Sequence, residues 1–221
     1  MRPGNMPLGA PDRRRSLERY RAVAERYDRR TAFGEPFREE AVRRLAPAPG
    51  WVVVDAGCGT GLNFARILAR IGSRGRLIAF DQSPDMLGRA RARVERHGWR
   101  NVTLLEAAAE QADPGVAADA ALLCATHDIL RSRPALETLL GHVRPGGRVV
   151  AAGAKWAPWW RLDGASLDLC TWQVNQDYVT TFEGFEAPWS HLAALLDDFE
   201  VAEVAFGAGY VAAGTRPPSR Q

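Results

Sequence analysis

Apolar residues in this chain follow two alternating patterns. Short unbroken runs at 51–54, 77–80, 120–123 and 149–152 are separated by stretches where apolar positions recur every three or four residues. Unbroken runs bounded by turn residues read as strands buried on both faces, and the wider spacing reads as amphipathic helix. A helical pattern covers 16–45, with Ser16 as its cap and Leu17, Tyr20, Val23 and Ala24 on one face. Pro47, Pro49 and Gly50 break it before the first strand. A helix at 62–71, strands at 76–81, 101–106 and 119–124, and a helix at 133–143 follow. Pro145, Gly146 and Gly147 form a turn into the strand at 149–152. A helix at about 189–196 and two short strands near 200–206 and 210–214 complete the series. This alternation predicts an α/β fold, a parallel sheet with helices on both faces.

The first strand carries the strongest chemical signal. Val52-Val53-Val54-Asp55 leads into Gly57-Cys58-Gly59-Thr60-Gly61, and a helix follows at once. A glycine turn at a helix start lets a ligand approach bare backbone. The spacing is G-x-G-x-G, whereas a dinucleotide fingerprint has G-x-G-x-x-G. The next strand ends at Asp81, twenty residues past Gly61. A carboxylate there can accept hydrogen bonds from both hydroxyls of a ribose. After it, Ser83 reads as an N-cap with Pro84 at the first helical position.

The run VVVDAGCGTG resembles the first motif of class I S-adenosylmethionine-dependent methyltransferases. Asp81-Gln82-Ser83-Pro84-Asp85-Met86-Leu87 resembles the continuation D-x-S-x-x-M-L of the same family. The resemblance implies a Rossmann-like, doubly wound, seven-stranded sheet, mostly parallel and closed by a C-terminal antiparallel hairpin. It implies S-adenosyl-L-methionine as cofactor, with Asp55, Gly57, Cys58, Gly59, Gly61, Asp81, Gln82 and Met86 around it and Met86 packed on the adenine. The segment 102–110 resembles a third family motif, but Ala108 stands where the usual aspartate would meet the adenine amino group. Backbone contact at Ala108 or Ala109 replaces that side chain in this reading. Ala24-Glu25-Arg26-Tyr27-Asp28 resembles the A-x-x-Y-D element before the core of menaquinone- and lipid-type methyltransferases. That similarity implies that Tyr27 folds over the methionine moiety and excludes water from the reacting sulfonium. The alternative is a half-buried tyrosine that docks the helix.

Composition narrows the picture without identifying a substrate. The 221 residues fit one domain, 16–215, behind a Pro-, Gly- and Arg-rich tail at 1–15 that reads as disordered. Within the domain, 16–45 forms a helical cap and 156–186 an aromatic-rich insertion on the acceptor side. No apolar run is long enough to cross a membrane, and the first seven residues lack the apolar core of a secretory signal. Cys58, Cys124 and Cys170 have neither metal-site nor disulfide-framework spacing, which favours a reducing cytoplasm and no metal. The net charge is +3 and Lys155 is the only lysine, an Arg-for-Lys bias that reads as genome composition. No N/D-P-P-Y/F motif follows the fourth strand and there is no separate basic domain, which argues against a nucleic-acid partner. Arg13-Arg14-Arg15 is a candidate peripheral contact with anionic lipid, against the plain reading of a solvated charge run.

Methyl transfer needs chiefly orientation of the nucleophile, and a base only where the acceptor must lose a proton. His127, just past the fourth strand, is the best-placed base; the plain reading is that His127 and Asp128 merely open a helix. Four of the seven tryptophans lie between 156 and 172 (Trp156, Trp159, Trp160 and Trp172), with Tyr178 and Phe182 beyond. They form either a wall for a small or lipid-like acceptor or a cap that packs on the sheet. The leading expectation is a methyltransferase acting on such an acceptor. Its rivals are an enzyme of the same fold with other chemistry, such as a cyclase or oxygenation enzyme, a noncatalytic binding module, and an NAD-dependent dehydrogenase.

Overall fold

The computed structural model describes residues 12–158, 160 and 162–218. Its N-terminal part comprises helices α1 (Arg13–Val23), α2 (Tyr27–Arg30) and α3 (Glu35–Leu45). The alternating core runs β1 (Val52–Ala56), α4 (Phe64–Ile71), β2 (Arg76–Asp81), α5 (Pro84–His97), β3 (Val102–Glu106) and β4 (Ala118–Cys124). It continues through α6 (His127–Leu130), α7 (Arg133–Gly141) and β5 (Val143–Ala154). Helices α8 (Gly164–Asn175) and α9 (Ser190–Ala193) precede β6 (Asp197–Val204) and β7 (Gly209–Thr215).

Among the described residues the seven strands form one sheet in the order β3-β2-β1-β4-β5-β7-β6. The first five strands are parallel, while β7 is antiparallel to both β5 and β6. Period-two alternation divides the core between the two faces of the sheet. Val54, Ile78, Phe80, Ala121 and Leu123 pack with Leu136, Leu139 and Leu192 from α7 and α9. Val53, Leu77, Ala79, Ala120 and Leu122 pack on the other face with Leu45, Phe64, Ile67 and Leu87 from α3, α4 and α5. Helix α4 buries Phe64, Ile67, Leu68 and Ile71, the spacing of one helical face. Burying a leucine or isoleucine side chain of this kind contributes about 2 kcal/mol.

Several sequence-based boundaries move. The 16–45 pattern is three helices and a 3-10 turn rather than one helix. Helix α1 starts at Arg13, capped by the Asp12 carboxylate, which accepts from the Arg15 N–H at 3.1 Å. Ser16, expected as the cap, is buried inside the helix. Arg13-Arg14-Arg15 are therefore the first turn of α1, and the remainder of the tail expected to be disordered, 1–11, lies outside the described residues. The Pro145-Gly146-Gly147 turn is a bulge inside a longer β5. Ala118 pairs with Val143 and Ala120 with Arg148, so four residues loop out where β4 spends one. Gly146 supplies the φ of +71° there. The C-terminal helix is confined to α9, with Pro188 just before it.

Candidate active site

The carboxyl ends of β1, β2, β3 and β4 converge on one edge of the sheet, the customary place for a ligand in a parallel α/β fold. A cavity of about 380 Å³ opens there, within the size range of small-molecule sites. Gly57, Gly59, Asp81, Gln82, Met86 and Ala109 line it, together with Phe80 and Ala107. Gly57 has φ +64° and fits against Thr126; a Cβ on it would stand 2.6 Å from the threonine methyl. Gly59 also has a left-handed φ, +55°, but a Cβ on it would meet nothing within 4 Å. Its backbone faces open space on the cavity wall.

Asp81 is held by backbone alone. Its Oδ2 accepts from the Gly59 N–H at 2.8 Å and its Oδ1 from the Ser83 N–H at 2.9 Å. Each oxygen keeps lone-pair capacity for a ligand hydroxyl. Burial raises its pKa, and the Ser83 and Gly59 N–H groups pull it back down. Ser83 is the N-cap of α5, its Oγ accepting from the Met86 N–H at 3.3 Å. The same cap therefore orients Met86, whose side chain is buried at the wall.

The N-terminal helices fold over this cavity. Arg13, Ser16, Tyr20 and Tyr27 contribute to its lining, and the Gln82 amide donates to Ser16 Oγ at 3.4 Å. The Arg19 guanidinium donates to the carbonyls of Gln176 (2.7 Å) and Val179. The Asp12 N–H donates to Thr180 Oγ1 at 3.1 Å, and the Thr180 hydroxyl donates to Asp128 at 3.2 Å. Burial lifts the Asp128 carboxyl to about 6, with the Thr180 hydrogen bonds opposing it. Asp28 accepts from Thr60 Oγ1 and from Arg93, both at 2.5 Å, anchoring the turn that carries Tyr27. Tyr27 meets Tyr178 edge-on at 5.4 Å and Tyr20 at 6.4 Å. Desolvation raises the pKa of Tyr27, so it stays a neutral phenol.

A second cavity of about 280 Å³ lies behind this tyrosine cluster. Phe33, Phe37, Ala152, Gly153, Val174 and Tyr210 make it largely apolar, and Arg38, Asn175, Thr31 and Thr171 are among its polar residues. Arg38 is 6% exposed and donates to the Thr31 carbonyl at 3.0 Å and to Glu35 at 3.1 Å. Tyr20, Tyr27, Ala125, Thr126, His127, Tyr178 and Val179 line both cavities.

His127 sits on that shared wall at the start of α6. Its Nε2 is 3.1 Å from the Glu183 carbonyl oxygen, and its ring meets Phe185 at 4.4 Å. A carbonyl only accepts, so Nε2 carries the hydrogen and Nδ1 presents a lone pair. Burial lowers its pKa to about 4 against the favourable Glu183 bond, leaving the ring neutral near pH 7. Nδ1 is buried without a hydrogen-bond partner, as are Thr126 Oγ1 and Tyr178 Oη.

Residues 53–147 match the family model described as "Methyltransferase domain", a stretch that includes the glycine turn and Asp81. Over that stretch the chain is similar to a methyltransferase domain. The methyltransferase fold extends beyond the matched stretch. The N-methyltransferase NodS from Bradyrhizobium japonicum, solved with S-adenosyl-L-homocysteine, superposes with a TM-score of 0.67 at 17% identity, over 92% of this chain and 100% of that one. An O-methyltransferase family protein from Burkholderia thailandensis gives 0.67 at 20% identity, over 97% of this chain and 65% of that one. The ribosomal RNA small subunit methyltransferase H of Rubrobacter xylanophilus is 52% identical over 52 residues, 24% of this chain and 17% of that protein. The chain spans only 17–18% of the length of the curated relatives it matches.

Of the methyltransferase site residues expected from the sequence, Tyr27, Gly57, Gly59, Asp81, Gln82, Met86, Ala109 and His127 line the first cavity. Asp55, Cys58, Gly61 and Ala108 stand behind that wall. Asp55 is buried and its two oxygens lie 3.3 and 3.4 Å from the Asn63 amide nitrogen, while burial raises its pKa to about 7. Cys58 belongs to the α3/α4 core, and the Ala108 carbonyl accepts from the Gln111 N–H in a turn. Glu110 lines the cavity and accepts from Ser132 Oγ at 2.6 Å. The aromatic segment mostly packs as a cap: Trp156 and Phe182 form a small core with Val179 and Phe185, and Trp172 leans on it. Trp160 is exposed and Trp159 lies outside the described residues. Among the described aromatic residues of this segment Tyr178 reaches a cavity wall, as does Val179 of the small core. Phe33, Phe37, Arg38 and Thr126 had no local motif to mark them; they meet only through the long-range packing of the N-terminal helices on the sheet.

Proposed function

We propose that this chain is a methyltransferase that moves a methyl group from S-adenosyl-L-methionine to a small, largely apolar acceptor held in the second cavity. The observation that carries the reading is the wall shared by the two cavities. Donor and acceptor on either side of Tyr27, Thr126 and His127 would be neighbours in a compartment closed by α1 and α2.

In this reading Asp81 receives the ribose hydroxyls, Gly57 and Gly59 let the chain lie close to the donor, and Met86 with Ala109 flanks the adenine. When bound, S-adenosyl-L-methionine supplies an electrophilic methyl on a sulfonium, which leaves as a neutral thioether once a lone pair takes the methyl carbon. The protein's part is orientation and exclusion of water, for which effective molarities of about 10⁵ M and above are known. Tyr20, Tyr27 and Tyr178 supply an uncharged aromatic wall at the junction. His127 offers a neutral lone pair at the same wall.

No helix among the described residues is long and apolar enough to cross a membrane. Cys58, Cys124 and Cys170 are free thiols, which supports a cytoplasmic setting. An RNA acceptor is the second reading, favoured by the 52-residue similarity to a ribosomal RNA methyltransferase. Incubation with methyl-labelled S-adenosyl-L-methionine and fractionated cell extract separates the two. Label in the organic-extractable small-molecule fraction supports the proposal, and label confined to RNA sinks it in favour of the second reading.

A further inference from the structure

Three polar atoms at the junction of the cavities lack partners: Thr126 Oγ1, His127 Nδ1 and Tyr178 Oη. Their residues are 8%, 7% and 8% exposed, and all three line both cavities. Unpaired buried polar groups are uncommon in native proteins, because each one forfeits its hydrogen bonds to water. Three on one wall, between a donor site and an apolar chamber, call for a ligand that completes them.

Their chemistry restricts that ligand. With Nε2–H committed to the Glu183 carbonyl, Nδ1 can only accept, so the ligand must bring a hydrogen. Thr126 and Tyr178 each carry a hydroxyl free to donate. A neutral hydroxyl group is the complement: its O–H donates to Nδ1, one lone pair accepts from Tyr178 or Thr126, and the other remains for the methyl carbon. A cationic amine fits poorly, since among the described residues no Asp or Glu lines the second cavity and the guanidinium of Arg38 does. The positive field of Arg38 reaches this wall, where it acts to lower the pKa of Tyr27, and it favours an oxygen that is losing its proton.

We infer that the acceptor is an apolar molecule carrying a neutral hydroxyl, received by Thr126, His127 and Tyr178, and that the chain is an O-methyltransferase. This rests on the reading of the second cavity as the acceptor site. As the oxygen takes the methyl carbon and the C–S pair goes to sulfur, the hydroxyl proton passes to Nδ1 and then to water. The methylated product has no hydrogen left for Nδ1, so it binds more weakly than the substrate and leaves.

The test is calorimetry on the full chain with 2-naphthol, naphthalene and 2-methoxynaphthalene, with and without S-adenosyl-L-homocysteine. The inference predicts that 2-naphthol binds at least about tenfold tighter than either analogue, the analogues leaving buried groups unpaired. It also predicts that Tyr178→Phe and Thr126→Val, with melting temperatures checked, each reduce that ratio. S-adenosyl-L-homocysteine binding with equal affinity for the three probes overturns the hydroxyl assignment and leaves the methyltransferase reading standing. Failure to bind S-adenosyl-L-homocysteine overturns both.

Discussion

The Gly59 N–H donates to Asp81 Oδ2 at 2.8 Å, tying the tip of the glycine turn to the end of β2. The carboxylate that we propose receives the ribose also shapes the loop beneath it. Asp81→Asn keeps the volume but offers one acceptor where two are used, and its NH₂ faces a backbone N–H. Charge-assisted bonds of this kind are worth about 1.5–3 kcal/mol each. We expect S-adenosyl-L-homocysteine affinity to fall by about 10- to 100-fold in calorimetry. Native-like affinity would contradict the role given to Asp81.

Gly59 and Gly61 separate ligand contact from folding. Both have positive φ, but a Cβ at Gly61 would stand 2.6 Å from the Phe64 ring, whereas at Gly59 it would point into open space. Gly61→Ala therefore pushes on the α4 core as well as straining the backbone, and it should lower stability by about 2–4 kcal/mol. Gly59→Ala should cost about 1 kcal/mol of backbone strain yet weaken cofactor binding more strongly. Urea unfolding and calorimetry on the pair would show the opposite ranking if Gly59 lies away from the ligand.

Asp55 makes stability depend on pH. Its pKa is raised to about 7 by burial, above the unfolded value of about 3.9, so the folded chain binds this proton more tightly. Its contribution is full below about pH 4 and is lost as pH rises through about 7. Asp55→Asn removes that loss and can donate to Asn63 Oδ1, which has no partner. Melting at pH 5 and pH 8 should show the variant gaining on the native chain at the higher pH, by a few kcal/mol at most. A difference independent of pH would mean that Asp55 titrates as an ordinary carboxylate.

His127 should be neutral and fixed in one tautomer. Nitrogen-15 spectra of the imidazole should show hydrogen on Nε2 and a bare Nδ1, unchanged from pH 8 to about pH 5.5, with protonation only near pH 4. A midpoint near 6.5 or hydrogen on Nδ1 would remove the lone pair assigned to the acceptor wall.

Much of the fold was legible because its signals are local. The run into Asp55, the Gly57–Gly61 spacing, the Ser83 cap with Pro84 and the terminal strand pair each occupy fewer than about twenty residues, and the sheet order follows from their alternation. The start of α1 was missed because Asp12 and Ser16 are both good caps by type. Tertiary contact decided between them: Ser16 is drawn inside against Gln82, while Asp12 docks on Thr180. The tryptophan segment read either as a substrate wall or as a packing cap because composition does not say which way a side chain faces. Arg38, Phe33 and Thr126 lie far apart in sequence, and only packing of α3 against the sheet brings them to one chamber. Asp55 and Gly61, expected at the ligand, shape the turn from behind it.

Calorimetric titration of the full chain with S-adenosyl-L-homocysteine and, separately, with NAD tests the central claim most directly. The donor site described above predicts one S-adenosyl-L-homocysteine bound per chain and no binding of NAD, with the affinity reduced in Asp81→Asn. Binding of NAD without S-adenosyl-L-homocysteine would contradict it.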